Sequence, residues 1–382
     1  MKSFIYVIIF FSFFDLFTQL PVMSTYAESL GASAFLTGLA VGMYSLSNTF
    51  GNIISGFLTD RKGPFMILVI GLLTTGVSLT LYNLVDDPTF LLVVRFIHGL
   101  VAGFIVPAAF TFLANATEQE KRGKGSAISG AFVGIAAIIG PAFSGILASR
   151  TSVPFVFNIT ASFMLILGVL AFFLLKTAKA KKEETVSSKR IPISVFFNNI
   201  GTLKAFSGAF FLMFSQGVIA YLLPLKVQSL GFDSRVSGTL MSVFGIVAVL
   251  VFILPTNRIF DKVAPIKTLA LGISLMGISQ ILISQADSST LLYLAMICYG
   301  CGFGFLFPSV NSLLIDSTTV EIRGKAYGYF YAFFSLGVVL GSSLLGWLSL
   351  GITSGFIFTG FVLLCFAGFT IIPIKNKTSQ HI

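Results

Sequence analysis

Asp15 stands between Phe14 and Leu16 inside an apolar run, and Arg95 and His98 stand three residues apart inside another. A charge in such a segment is costly unless it is paired, reaches water or is neutralised, so intramembrane ionisable groups are functional candidates by default. Desolvation moves a carboxyl group toward the range in which it loads and releases a proton. Asp15 is the only carboxylate near the middle of an apolar run, because Asp60, Asp261 and Asp316 fall near run ends. It is therefore the candidate proton carrier, with Arg95 and His98 as modulators that share one helix face. Each has a plainer reading: a permanently neutral Asp15 joining two helices, an Arg95 that snorkels to the interface, a His98 that only packs. Gln19, Gln216, Tyr299 and Asn311 are candidates to line a substrate cavity, and with Asn48, Asn52 and Gln280 they could equally tie helices together.

The elements that must position these groups follow from composition. Of 382 residues, 55% are hydrophobic and only 10% charged, and the mean hydropathy is +0.96. A soluble domain carries about a quarter charged residues; this chain is built for the lipid bilayer. Apolar stretches of roughly 20 residues, enough to span, fall at about 4–24, 35–58, 65–84, 89–114, 126–148 and 154–175. Six more fall at about 204–227, 235–256, 266–285, 289–315, 326–348 and 353–374. The expected fold is an all-α membrane protein of twelve transmembrane helices. It comprises a six-helix bundle over 1–175, a linker over 176–202, and a second six-helix bundle over 203–382 that ends in a short tail. The start, Met1-Lys2 and an apolar run containing Asp15, reads as a retained first helix rather than a cleaved signal.

The net charge of +10 could suggest a nucleic-acid partner, but about 20 of the 24 Lys and Arg fall in alternate loops on one side. Those loops include Arg61-Lys62, the Lys-rich 176–190 segment, Arg323 and Lys325. The positive-inside rule places them, and both termini, in the cytoplasm of a cell whose plasma membrane holds the protein. Nucleic acid is excluded as a partner. Cys298, Cys301 and Cys365 lie in apolar runs, where small-residue packing explains them without a disulfide or a metal.

The chain repeats itself. A shift of 201 residues lays Glu120-x-Arg122-Gly123-Lys124 on Glu321-x-Arg323-Gly324-Lys325, Asp60 on Asp261, Pro64 on Pro265, Gly99 on Gly300 and Gly140 on Gly341. Two pseudo-symmetric halves are implied, with a substrate cavity near the midplane lined by spans 1, 4, 7 and 10. The same shift puts Gln216 opposite Asp15, Met296 opposite Arg95 and Tyr299 opposite His98. The ionisable groups are thus confined to the first half.

The loop after span 2, Gly56-Phe57-Leu58-Thr59-Asp60-Arg61-Lys62-Gly63, resembles the G-x-L-x-D-R-x-G motif of the major facilitator superfamily, whose length and twelve-span plan the whole chain matches. The resemblance implies a conformational latch of Gly56, Asp60, Arg61 and Gly63, with Asp261 as its weaker second copy. Pro64 and Phe65 replace basic residues usual there, so the latch is less charged. Arg95-Phe96-Ile97-His98-Gly99 is similar to the family's R-x-x-Q-G motif, with His98 in the Gln position. Gly134, Gly140, Pro141 and Gly145 resemble the antiporter motif of span 5, except that Ser144 replaces one glycine. What the resemblance implies is a monomeric, proton-coupled secondary transporter exporting small amphipathic or drug-like compounds by alternating access. The alternative is export or uptake of one polar metabolite, sugar or metal-chelating compound. The chain has no H-E-x-x-H and no phosphate-cradling G-x-x-x-x-G-K-[ST] loop, so neither an enzyme nor an ATP-driven pump is expected, and no cofactor or metal.

Overall fold

A computed structural model describes residues 2–115, 122–175, 194–254 and 262–371, and the regular elements among them are all helical. In lipid a helix satisfies its own backbone, which is why uniformly apolar sequence adopts it. The first half comprises α1 (Lys2–Gln19), α2 (Met23–Ser29), α3 (Ala34–Lys62), α4 (Pro64–Thr80), a 3-10 turn (Leu81–Leu84), α5 (Pro88–Ala102), α6 (Ile105–Asn115), α7 (Arg122–Ala148) and α8 (Val153–Leu175). Then follow α9 (Ser194–Phe197), α10 (Ile200–Ser229), α11 (Ser234–Ile253), α12 (Pro265–Gln285), α13 (Ser289–Asp316), α14 (Val320–Trp347) and α15 (Ile352–Ile371). Residues 194–197 and 200–202, the end of the expected linker, are helical; the rest of the linker, 176–193, lies outside the described residues.

Among the described residues eleven segments are long and apolar enough to cross a membrane. The expected span outside that set is α3. Its 29 residues reach about 43 Å, but Ser45, Ser47, Asn48, Thr49, Asn52 and Ser55 make it polar. Two of those side chains reach beyond the helix: Asn48 Nδ2 donates to the Gly99 carbonyl at 3.2 Å and Ser55 Oγ to the Phe104 carbonyl at 2.9 Å, while Ser47, Thr49 and Asn52 donate within α3. Polar glue of this kind joins helices where lipid gives no hydrophobic drive. Large apolar side chains such as Phe173 and Trp347 are exposed, as a lipid-facing surface requires.

The expected spans 1 and 4 are each broken. α1 stops at Gln19 and resumes as α2 after Leu20–Val22, where Pro21 has no N–H to continue the ladder. α5 gives way to α6 at Gly103-Phe104. The described residues form two compact units, one of 2–115, 122–175, 220–242 and 342–349, the other of 194–219, 243–254, 262–341 and 350–371. Within the first unit α1 packs on α7, α3 on α5 and α4 on α8; within the second α12 packs on α13 and α15.

The internal repeat holds with a correction. Phe11 meets Phe163 at 4.8 Å and Phe211 meets Phe366 at 4.3 Å, while the Phe14 carbonyl lies beside Gly140 and the Phe214 carbonyl beside Gly341. Gly31 and Gly231 both turn with φ near +80, at +83° and +82°. The first two helices of each half are therefore related by 200 residues, and only from Pro64 and Pro265 onward does 201 apply. The structural counterpart of Asp15 is Ser215, not the Gln216 that the single shift assigns.

Candidate functional site: a buried acid, imidazole and two phenols

α5 begins with its own start signal. Asp87 accepts from the N–H groups of Thr89 and Phe90 at 2.7 and 3.0 Å, and Pro88 occupies the first turn. This fixes a helix in which Arg95 and His98, three residues apart, both point inward and are at most 3% exposed. Gly99 then brings α5 against α3, since a Cβ there would collide with the Tyr44 carbonyl and the Ser47 hydroxyl. On α1, Asp15 lies one turn before the break and is 1% exposed.

These elements converge on Asp15. His98 Nε2 lies 3.1 Å from Asp15 Oδ2, and the Tyr44 hydroxyl donates to the same oxygen at 3.4 Å. The other imidazole nitrogen, Nδ1, meets the Tyr82 hydroxyl at 3.2 Å. Tyr82, on the 3-10 turn after α4, is fully buried, with its ring 4.4 Å from that of Phe157. The chain of groups thus runs Tyr44–Asp15–His98–Tyr82.

Arg95 is held apart from Asp15. Its Nε donates to the Ala40 carbonyl at 2.8 Å and one Nη to the Val41 carbonyl at 3.1 Å, while the other Nη donates to Gln19 Oε1. The guanidinium carbon lies 5.2 Å from the Tyr44 ring centre. Gln19 completes the link, because its Nε2 donates to the Asp15 carbonyl at 2.9 Å and faces Asp15 Oδ1 at 3.4 Å. Arg95 therefore does not snorkel: it is locked by three neutral acceptors, one of which passes its influence to the acid. Gln19, expected to line a substrate cavity, is 2% exposed and serves as this bridge.

The second half repeats the arrangement without charge. Ser215 Oγ lies 3.0 Å from the Tyr299 hydroxyl, Tyr299 donates to Gln216 Oε1 at 3.2 Å, and Gln280 Nε2 donates to Ser215 Oγ at 2.6 Å. Tyr299 is fully buried. Gln216 and Asn311 are partly exposed, and Asn311 Nδ2 turns back onto the Phe307 carbonyl at 2.9 Å. A recess of about 460 Å³ opens beside Asn311, lined also by Phe252, Phe307, Pro308 and Ser312.

For the remaining residues the geometry is mixed. Among the described residues nothing lies within 4 Å of a Cβ built on Gly56. Gly63 caps α3 and starts α4 at φ +80°, a conformation that glycine alone adopts freely. Arg61 is exposed. The Asp60 side chain and the whole of Asp261 lie outside the described residues. In α7, which continues through Pro141, Gly140 packs on Phe17 of α1, while Gly145 and the Pro141 carbonyl pack against Gly238 of α11. Gly134 is partly exposed.

The Major Facilitator Superfamily model matches residues 5–204 and again 205–381. The chain belongs to the major facilitator superfamily. It is accordingly a multi-pass membrane transporter of small molecules. It is 28% identical to the multi-drug resistance efflux pump PmrA of Streptococcus pneumoniae, over 84% of this chain and 82% of that one. It is 28% identical, with the same coverage, to the multidrug resistance protein MdtG of Salmonella typhimurium. An uncharacterized MFS-type transporter of Methanocaldococcus jannaschii is 24% identical over 89% of each chain. Among solved structures, the nucleoside transporter NupG superposes with a TM-score of 0.80 at 16% identity, covering 97% of each chain. A bacterial homolog of the human lysosomal transporter Spinster, inward-facing and occupied, reaches 0.80 at 13% identity, covering 97% and 95%.

Tyr44 and Tyr82, Ser215 and the second-half role of Gln280 were not singled out by sequence reasoning as parts of these sites. A tyrosine in an apolar run reads equally as an interfacial anchor. Tyr82 lies five residues before Asp87, and only the fold turns it toward His98.

Proposed function

We propose that this transporter is a proton-coupled exporter of small amphipathic compounds, working as a monomer in the cell membrane with both termini in the cytoplasm. The observation that carries the reading is the buried Asp15–His98 pair, 3.1 Å apart, beside a buried Arg95 that donates to neutral acceptors on Gln19, Ala40 and Val41. With Asp15 ionised, His98 neutral and Arg95 charged, the cluster is neutral overall. One added proton leaves it with net positive charge in a low-dielectric setting, where repulsion toward a cationic substrate is strong. Proton and lipophilic cation then exclude one another, which is antiport by mass action if the site alternates in access. The efflux relatives at 28% identity support export and a drug-like substrate. The latch residues Gly56, Asp60, Arg61, Gly63 and Asp261 would govern switching, and Gly134, Gly140, Pro141 and Gly145 the helix packing that seals the antiporter. The partly exposed Gln216 and Asn311 would meet the substrate, with the buried Tyr299 holding Gln216 from behind.

The test is Asp15→Asn in proteoliposomes with the lipophilic cation ethidium as the probe. Accumulation driven by a pH gradient is expected to fall at least tenfold, about 1.4 kcal/mol or more of lost coupling, while downhill exchange survives. Full pH-driven accumulation by the variant would remove Asp15 from the mechanism.

A further inference from the structure

Among the described residues Nδ1 of His98 has one hydrogen-bond partner, the Tyr82 hydroxyl at 3.2 Å, and the Tyr82 and His98 rings meet edge-on with centres 5.8 Å apart. We propose that Tyr82 is a positioning residue for proton coupling, fixing which nitrogen of His98 faces Asp15. The inference rests on the proton-coupling reading above and deepens it by naming the atom at which the imidazole takes its proton.

The argument is one of donors and acceptors. A neutral imidazole has one N–H and one lone pair, and the hydrogen bond made by one nitrogen sets the role of the other. Beside an ionised Asp15, Nε2 must carry the hydrogen, so Nδ1 is the acceptor and the Tyr82 hydroxyl donates to it. When the imidazole gains a proton it gains it at Nδ1, and the same phenol rotates to accept. A hydroxyl can play both parts without backbone movement; a phenylalanine can play neither. The groups facing His98 from the packed elements are Asp15 of α1, Tyr44 of α3 at 5.0 Å between ring centres, Tyr82, and Arg95 of its own helix. Of these only Tyr82 contacts Nδ1. Tyr82 is itself anchored, since Phe157 packs on its ring and Tyr26 donates to its carbonyl at 3.4 Å. At the matching place in the second half Tyr299 replaces the imidazole, and the residue 201 after Tyr82 is Ile283. The phenol accompanies the histidine and is absent where the histidine is absent.

The protein has two histidines, so His381→Ala leaves His98 as the only imidazole. Full-length protein labelled with ¹⁵N-histidine and reconstituted in liposomes then reports the His98 tautomer directly by solid-state NMR. The expected result is a neutral imidazole protonated at Nε2 alone, and a mixture of both tautomers in Tyr82→Phe. A native Nδ1-protonated tautomer, or an unchanged tautomer in Tyr82→Phe, would overturn the proposal; the first measurement needs no substitution in the buried cluster and so does not depend on how Tyr82→Phe folds. In transport, Tyr82→Phe is expected to slow pH-driven ethidium efflux about two- to tenfold, the worth of one net hydrogen bond. It should cause no further loss in a His98→Gln background; an equal loss there would make Tyr82 a packing residue only. Should Asp15→Asn retain coupling, the proton-coupling reading itself falls. Should Asp15→Asn lose coupling while the Tyr82→Phe tautomer is native, only the present inference falls.

Discussion

In the first half a carboxylate near the end of α1 lies 3.1 Å from an imidazole on α5, whereas in the second a serine hydroxyl on α10 lies 3.0 Å from a phenol on α13. Both pairs are buried, and Met296 fills the place that Arg95 holds in the first half, with no exposure. The fold evidently closes this junction with neutral groups as readily as with charged ones. Burying an ion pair seldom stabilises more than well-packed neutral groups of similar volume. Stability alone therefore gives no reason for the first half to carry charges where the second carries none.

The sharpest way to break the comparison is to impose the second half's residue on the first. Arg95→Met copies Met296, but here the guanidinium satisfies Gln19 Oε1 and the carbonyls of Ala40 and Val41. The substitution leaves the buried Gln19 oxygen without a donor and removes the only positive charge near Asp15. A loss of about 2–4 kcal/mol is expected, read as a lower thermal midpoint in detergent and a reduced folded yield. A midpoint unchanged from the native protein would show that Arg95 is as dispensable as its counterpart.

Replacing the whole cluster should have the opposite profile. Asp15→Ser with His98→Tyr, Arg95→Met and Gln19→Ile reproduces Ser215, Tyr299, Met296 and Ile219 of the second half and leaves neither an unpaired buried charge nor an orphaned Gln19 oxygen, so folding is expected to stay within about 2 kcal/mol of native while pH-driven ethidium transport disappears. Measuring the thermal midpoint and vesicle transport on one preparation separates the two. Retained coupling would mean that the proton travels elsewhere.

Much of this contrast was legible in the residues. The repeat, the span count and the confinement of Asp15, Arg95 and His98 to one half all follow from composition and spacing, because hydropathy and helix period are local properties. The partner of Asp15 was not legible. A one-residue difference in length before Pro64 changes the shift from 201 to 200, and a one-residue slip on a helix rotates a side chain by about 100°, enough to exchange Gln216 for Ser215. The breaks in spans 1 and 4 were equally hidden, since Pro21 and Gly103 sit inside stretches that each read as one span of sufficient length. That Gln19 bridges rather than lines a cavity depends on the reach of Arg95 across α1 and α3, which no window of sequence contains.

A smaller effect sharpens the comparison at the loops. Gly63 adopts φ +80° where the second half has Ala264 at φ −53°. Gly63→Ala should cost about 1–2 kcal/mol through backbone strain. Gly56→Ala, with open space around it inside a helix, should gain up to about 1 kcal/mol. Thermal midpoints that moved in the same direction for both variants would show that the two motif glycines act alike.

The smallest effect is expected where the second half is altered alone. Ser215→Ala removes the hydroxyl between Gln280 and Tyr299, yet each donor keeps an acceptor: Gln280 Nε2 retains the Ser215 carbonyl at 3.3 Å, and Tyr299 retains Gln216 Oε1 at 3.2 Å. No donor is orphaned and the volume lost is one oxygen, so the cost is that of a single interhelical hydrogen bond, about 0.5–1 kcal/mol. The Ser215 cluster consists of hydroxyls and amides and holds no carboxyl or imidazole, so the pH dependence of ethidium efflux should superimpose on that of the native protein. The measurement is the efflux rate across about pH 5.5–8.5, the range in which an imidazole changes charge. A displaced profile for Ser215→Ala would mean that the neutral half also senses the proton, and the division of labour between the halves would have to be redrawn around Tyr299.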